Sequence, residues 1–270
     1  MRCVLRALLL IGLSSPALAD DFDVLRGSQS VGPATFTRWS GFYFGGHASF
    51  NYGQSDFSGA TQPLAALALQ GTEVEAEFAP SQIQALGIGS SSGFGAGGFL
   101  GYNTQWEDVV VGVEASYTRA SLSMTSPSLP PVTRSFSTPV GNVTSVTIEN
   151  AAGHLSLTDY VEARGRAGYV VGNLLPYAFL GFAAARTNFN TSVEVDAQCG
   201  NGVECAGFPL FPGAGQSNAL LYGFAAGGGV DWALAPNFFL RGEVEVIQFA
   251  PFSNISLTIV DARIGGGFKF

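Results

Sequence analysis

Two things are scarce in this chain: charge and long apolar runs. Charged residues fill only 12% of its 270 positions, about half the share of an ordinary soluble domain. After residue 19 the best apolar stretch, 174–185, is short and interrupted by Pro176. It falls well below the ~20 residues that a membrane-crossing helix needs. Basic residues are outnumbered, 12 against 20 acids, and a negative surface disfavours nucleic acid as a partner. Histidine occurs only twice, so histidine-rich metal sites are excluded.

What is present is apolar in total though not in runs. Hydrophobic residues make up 47% of the chain, glycine occurs 36 times, and the mean hydropathy is +0.27. Lipid accepts only structures whose backbone groups are all paired internally, which means helices or closed barrels. With helices excluded, a barrel remains. The N-terminal stretch supplies the context: Arg2 and Arg6, an apolar run over 7–13, then Pro16 and the small-residue triplet Ala17-Leu18-Ala19. This is the layout of a secretory signal peptide cleaved after Ala19. Cys3 precedes the apolar run, which argues against a lipoprotein anchor. Loss of Arg2 and Arg6 would take the formal net charge from −8 to −10. The expected organisation is a signal peptide over 1–19, a periplasmic segment over 20–38 and one barrel over 39–270.

Two cysteines remain in the mature chain. Cys199 and Cys205 flank Gly-Asn-Gly-Val-Glu in a stretch rich in glycine and proline, which reads as a loop disulfide in an oxidising compartment. A metal site is the weaker alternative, because no histidine lies nearby.

Period-2 alternation recurs eight times along the chain. Over 41–53, Phe42, Phe44, Ala48, Phe50 and Tyr52 oppose Tyr43, His47, Ser49 and Asn51. Over 109–119, valines, Ala115 and Tyr117 oppose Gly112, Glu114, Ser116 and Thr118. Further segments are expected at 94–104, 155–169, 177–187, 219–232, 238–248 and from 258 to the end. In the fourth, Leu155, Leu157, Val161, Ala163, Ala167 and Tyr169 share a face, with Asp159 breaking the pattern above the hydrocarbon. Both faces of 177–187 are apolar until Arg186, so its facing stays open.

Energy decides which face meets lipid. An arginine on the lipid side near the bilayer midplane costs ~2–4 kcal/mol. Arg164 and Arg166 share a face, which must therefore point inward. The same argument turns Glu114, Glu162, Asp231, Arg241, Glu243, Glu245, Asp261 and Arg263 inward, where charges persist only if paired. An eight-stranded barrel is just wide enough for side chains to fill it, so the expected interior is a salt-bridged plug. The competing reading is a soluble sandwich with a solvated charged face. Links after the second, fourth and sixth segments are short, while 54–93, 120–154 and 188–218 are long and hold much of the proline, serine and threonine. That asymmetry fits short periplasmic turns and long extracellular loops. Segment 64–86 can form short helices, and 132–150 can extend a hairpin beyond the membrane. Trp39, Tyr52, Tyr102, Trp106, Tyr169 and Trp232 lie near strand ends, as interfacial girdles do.

Together, WSGFYFGGHASFNYG (39–53), GGFLGYNTQ (97–105), VVVGVEASY (109–117), EARGRAGYVVGNLLPYAFLGFA (162–183), GGGVDWALAPNFFLRGEVEV (227–246) and ARIGGGFKF (262–270) resemble the small porin-like outer-membrane β-barrel proteins of Gram-negative bacteria, the outer membrane immunogenic protein type. The resemblance implies an eight-stranded antiparallel barrel inserted by the outer-membrane assembly machinery, which would read Phe268 and Phe270. The chain departs from that pattern in its first and second long loops and in carrying Phe99 where a polar residue is usual.

The leading expectation for function is a structural barrel in contact with outer-membrane lipid and without a cofactor, whose loops face outward. A small, weakly conducting channel is the alternative, suggested by the glycine-rich inner face of 219–232. Ligand binding or adhesion through the loops is a third. A catalytic set built from His47, Ser49 or His154 with a carboxylate lacks any spacing that would bring those residues together, so no catalytic, cofactor or metal residue is assigned.

Overall fold

A computed structural model describes residues 38–138, 142–200 and 203–270. The expected leader, and all of the expected segment 20–38 except Arg38, lie outside the described residues. Among those residues the chain forms nine strands: β1 (Gly41–Asp56), β2 (Ile88–Trp106), β3 (Val109–Ser126), β4 (Val132–Ser135), β5 (Val143–Tyr169), β6 (Leu174–Cys199), β7 (Gly213–Ala235), β8 (Phe238–Phe249) and β9 (Ser256–Lys269). Each pairs antiparallel with its neighbours. β1 also pairs with β9, Tyr43 opposite Lys269, which closes the ring. β4 stands outside it, paired only with β5. Eight strands therefore make the barrel, as the eight alternating segments predict. The hairpin β4–β5 is the one expected over 132–150.

Tight turns join one end of the barrel. Glu107 and Asp108 alone link β2 to β3, and the β5–β6 turn carries Gly172 at φ 61°, a left-handed conformation that glycine adopts without penalty. At the other end β1 and β2 are joined through two short helices, α1 (Gln62–Ala68) and α2 (Glu73–Phe78), within the segment where helices are expected.

The strands are longer than the sequence pattern suggests. β5 holds 27 residues, about 90 Å of strand at ~3.4 Å per residue. Even tilted by ~45°, that rises about 65 Å along the barrel axis, more than twice the height of an apolar band ~25 Å tall, so the upper part stands clear of the hydrocarbon. Much of 120–154 and 188–218 is thus strand where loop is expected. The physical reason is an inversion of polarity. In β3, Val109 to Tyr117 face outward and Glu114, Ser116 and Thr118 inward, but beyond Arg119 the outward residues are Ser121, Ser123 and Thr125 while Ala120, Leu122 and Met124 are buried. Below the inversion the outside is lipid and the inside polar. Above it the outside is water and the inside apolar.

A ring of polar residues marks the inversion on the outer surface: Gln54, Ser92, Arg119, Thr158, Arg186, Asn218, Gln248 and Thr258. Below it Phe94, Leu180, Phe182 and Ile264 are among the most exposed apolar side chains.

Two expectations are corrected. Leu155 and Leu157 are buried and face inward, opposite to Val161 and Ala163. A register shift between Leu157 and Asp159, with Asp159 and Tyr160 both buried in succession, inserts one residue and moves every side chain above it to the other face. Trp39 does not join a girdle. It is 2% exposed, packed edge-on against Phe239 with ring centroids 6.0 Å apart, because its backbone amide donates to Gln105 Oε1 at 2.7 Å and its ring joins the inward cluster at the turn end. The other five girdle aromatics are exposed. The open question of β6 is also resolved: Ala178, Leu180, Phe182 and Ala184 face outward and Tyr177, Phe179 and Ala183 inward.

Candidate functional site

The interior of the membrane-embedded section carries the chemistry. Strands β3, β5, β7, β8 and β9 each contribute charged residues two positions apart or singly, and the period of two sends them all to one face. Glu114, Glu162, Arg164, Arg166, Asp231, Arg241, Glu243, Glu245, Asp261 and Arg263 are all buried, so the ring brings together every charged residue that the sequence turned inward. Registers do the placing: Glu114 opposite Arg164, Asp231 opposite Arg241, Glu243 opposite Arg263.

Arg164 is the hub. Its Nη2 lies 2.5 Å from Glu114 Oε1 and 2.7 Å from Glu243 Oε1, and its Nη1 lies 3.4 Å from Glu245 Oε2. Toward the turn end, Arg166 Nη2 donates to Asp231 Oδ2 at 2.7 Å. Arg241 donates from Nε and Nη2 to the same carboxylate, at 2.8 and 3.0 Å, and from Nη1 to Glu114 Oε2 at 2.8 Å. Toward the loop end, Arg263 holds Glu162 at 2.9 Å and Asp261 at 2.6 Å, and also pairs with Glu245. Buried charges at this density persist only as a mutually satisfied network.

Six carboxylates meet four guanidiniums in this set, and neutral donors make up part of the difference, while Glu162 Oε1 and Asp261 Oδ1 accept no hydrogen bond. Tyr43 donates its hydroxyl to Glu114 at 2.7 Å, Tyr177 to Glu243 at 2.5 Å, Ser116 to Glu162 at 2.6 Å and Tyr160 to Asp261 at 2.6 Å. These four donors were not assigned a role from the sequence. Their inward parity was legible for Tyr43 and Ser116, but the bulge at Asp159 hid Tyr160 and the two-sided apolar pattern of β6 hid Tyr177. Aromatic faces complete the set. The Arg164 guanidinium carbon sits 4.1 Å from the Phe179 ring centre, that of Arg166 3.7 Å from Tyr177, and that of Arg241 4.1 Å from Phe99, within the range of cation–π attraction. Phe99 is thus a buried aromatic whose ring faces the Arg241 guanidinium.

Apolar layers flank the charges on both sides. At the turn end Trp39, Tyr43, Phe99, Leu175, Phe179 and Phe239 form one buried cluster. The Lys269 amine lies 4.1 Å from the Trp39 ring and donates to the Arg38 carbonyl at 2.8 Å. At the loop end Phe57, Leu86, Leu122, Ile148 and Leu157 form a larger cluster, and Leu64 and Leu69, in and just after α1, are part of it. The glycine-rich inner face of β7 is occupied: a Cβ at Gly227 would come within 2.6 Å of the Phe179 ring, and one at Gly229 within 2.9 Å of the Tyr177 hydroxyl.

His47 is buried, with Nε2 3.0 Å from Thr118 Oγ1, and Ser49 accepts from Asn51 at 2.8 Å. His154 is exposed on the outer face of β5, its Nδ1 3.4 Å from Thr125 Oγ1, so the two histidines do not share a site. Among the described residues no three of His, Cys, Asp or Glu are grouped to hold a metal ion. Phe268 and Phe270 are exposed on the outward face, Phe270 stacked on Phe44 at 5.8 Å.

Cys199, the last residue of β6, is bonded to Cys205 with Cα atoms 5.2 Å apart. The two cysteines are only 6 positions apart, so the bond's contribution is local. Reduction is expected to lower barrel stability by no more than about 2 kcal/mol while speeding protease cleavage within 200–212. A reduced sample that loses its compact gel migration would contradict this.

The chain matches the family model of the outer membrane protein beta-barrel domain over residues 6–268. No curated protein matches it. Among solved structures it is similar to Ail, the attachment invasion locus protein of Yersinia pestis, at 13% identity over 86% of this chain and 99% of that one, with a TM-score of 0.36. Neisserial surface protein A gives 14% identity over 86% and 98%, with a TM-score of 0.38. The N-terminal β-barrel domain of Pseudomonas aeruginosa OprF gives 14% over 84% and 99%, with a TM-score of 0.33.

Proposed function

Because the chain belongs to the outer membrane protein β-barrel family and so resides in the outer membrane of a Gram-negative cell, we propose that it is a structural barrel with a closed interior and a folded extracellular mouth. One observation carries the reading: the interior is occupied at every level, by the aromatic cluster at the turn end, the ion-paired layer in the middle, and the apolar cluster that includes Leu64 and Leu69 at the loop end. Solute passage needs a wetted path, and a conducting path here would require breaking several charge-assisted hydrogen bonds at once. The role is structural and not catalytic, with His47 committed to Thr118 and His154 on the opposite face. Phe268 and Phe270 are assigned in the same proposal to the assembly machinery during insertion. The test is planar-bilayer recording of the purified barrel. No conductance steps above background are expected, and reproducible steps would favour the weakly conducting channel.

A second reading, an extracellular ligand bound through the loops, is favoured by the apolar side chains displayed at that end: Leu67, Phe78, Val203 and Phe211 are each more than 40% exposed. Replacing Phe211 by serine would then reduce adherence of cells displaying the barrel without altering its gel migration.

A further inference from the structure

Two arginines break the rule that places the barrel's charges inside. Arg119 in β3 and Arg186 in β6 face outward, at the level where the outer surface turns from apolar to polar. Among the described residues of the eight ring strands, no other arginine or lysine does so. Asp159 of β5 lies between them in register, opposite both Arg119 and Arg186. It accepts from Arg186 Nε at 2.9 Å and from Nη2 at 2.6 Å, while the Arg186 side chain stays 55% exposed. Arg119 is exposed, and its side chain has no hydrogen-bond or ion-pair partner among the described residues. The cluster thus holds two cations and one anion, with one guanidinium fixed in place and the other free to engage.

A second observation lies on the same strands. A trough of about 450 Å³ opens on the lipid-facing surface, lined by Ala115, Ala163 and Gly165 at its floor and by Phe42, Leu100 and Tyr102 at its side. It is cut where outward side chains are small: a Cβ on Gly165 would meet nothing within 4 Å. Ala115 and Ala163 face each other across β3 and β5, four positions from the Arg119–Asp159 pair, which is ~13 Å along the strand. A positive rim with an apolar trough one headgroup's reach below it has the shape and charge of an amphiphile lying against the barrel.

We propose that this surface holds one outer-leaflet lipid, its phosphorylated headgroup on Arg119 and Arg186 and an acyl chain in the trough over Ala115, Ala163 and Gly165. Guanidinium matches phosphate in geometry as well as charge, and a basic residue at a membrane surface is worth ~1 kcal/mol toward anionic lipid. The assignment is independent of whether the interior conducts.

The experiment is native mass spectrometry of the barrel released from nanodiscs containing diphosphoryl lipid A or its dephosphorylated form. The wild-type barrel is expected to retain the phosphorylated lipid preferentially. R119A removes a side chain that has no partner, so the fold is unaffected, and retention is expected to fall about fivefold. G165F fills the trough and is expected to lower retention of the phosphorylated lipid without touching the arginines. Equal retention of both lipids, or no change in R119A, overturns the proposal. So does full competition by inorganic phosphate, which would mark a site for a free anion. A two-chain mass that G165F abolishes would make the trough a seam between copies and overturn it too.

Discussion

Arg164→Ala is expected to destabilise the barrel by about 3–5 kcal/mol, the range found when one partner is removed from a buried ion pair. Three carboxylates, Glu114, Glu243 and Glu245, converge on this guanidinium, and all three side chains are nearly inaccessible to water. Glu114 keeps Arg166 and Arg241, Glu243 keeps Tyr177 and, at 3.7 Å, Arg241, and Glu245 keeps Arg263. Each is left with fewer donors in a space that water does not fill, and the carboxylates lose the cation that offsets their mutual repulsion. The ring of Phe179 also loses the guanidinium stacked 4.1 Å away, leaving a cavity between β5 and β6. The comparison that separates charge from volume is Glu245→Gln. It keeps the shape, and Arg263 retains Glu162 and Asp261, so its cost is expected to be the smaller of the two. Urea unfolding of the barrel in lipid vesicles, or the temperature at which its gel migration changes, reads both variants. An Arg164→Ala barrel as stable as wild type would show that the interior charges are solvated and would remove the basis for a closed barrel.

Leu180→Arg is expected to cost about 2–4 kcal/mol. Leu180 is 72% exposed on the outward face of β6, halfway between the turn at 170–173 and the polar ring at Arg186. An arginine there has only hydrocarbon around it. Asn188→Arg, one outward position above Arg186, is the control, and near the interface the same substitution costs ~0–1 kcal/mol. Unfolding measured in vesicles should separate the two variants by most of the larger figure. If they match, the outward face of β6 is not in lipid at that depth.

These two tests probe opposite faces of one strand pair, and without the structure the facing could be read for the charged part of β5 but not for β6. The inward turn of the charged residues followed from their parity alone, because an ionised group two positions from another shares its face in any strand. Parity failed where the backbone departs from strict alternation. The bulge at Asp159 reversed Leu155 and Leu157, and the polarity inversion above Arg119 made strand resemble loop. Trp39 was misplaced for a different reason: an aromatic beside a strand end packs equally well under a barrel floor or in an interface, and its own neighbours in sequence do not choose between them.

The sequence by itself determined that the chain crosses a membrane as paired strands, and which side of most strands meets lipid. Both follow from costs that act on one residue at a time: unsatisfied backbone groups and ionised side chains are too expensive in hydrocarbon to be placed there. Only the tertiary structure decided which acid meets which base, and that two arginines sit together on the outside. Arg241 reaches Glu114 across 127 positions of chain and Arg263 reaches Glu162 across 101. Such meetings depend on the register of every strand around the ring, and a single inserted residue is enough to change them.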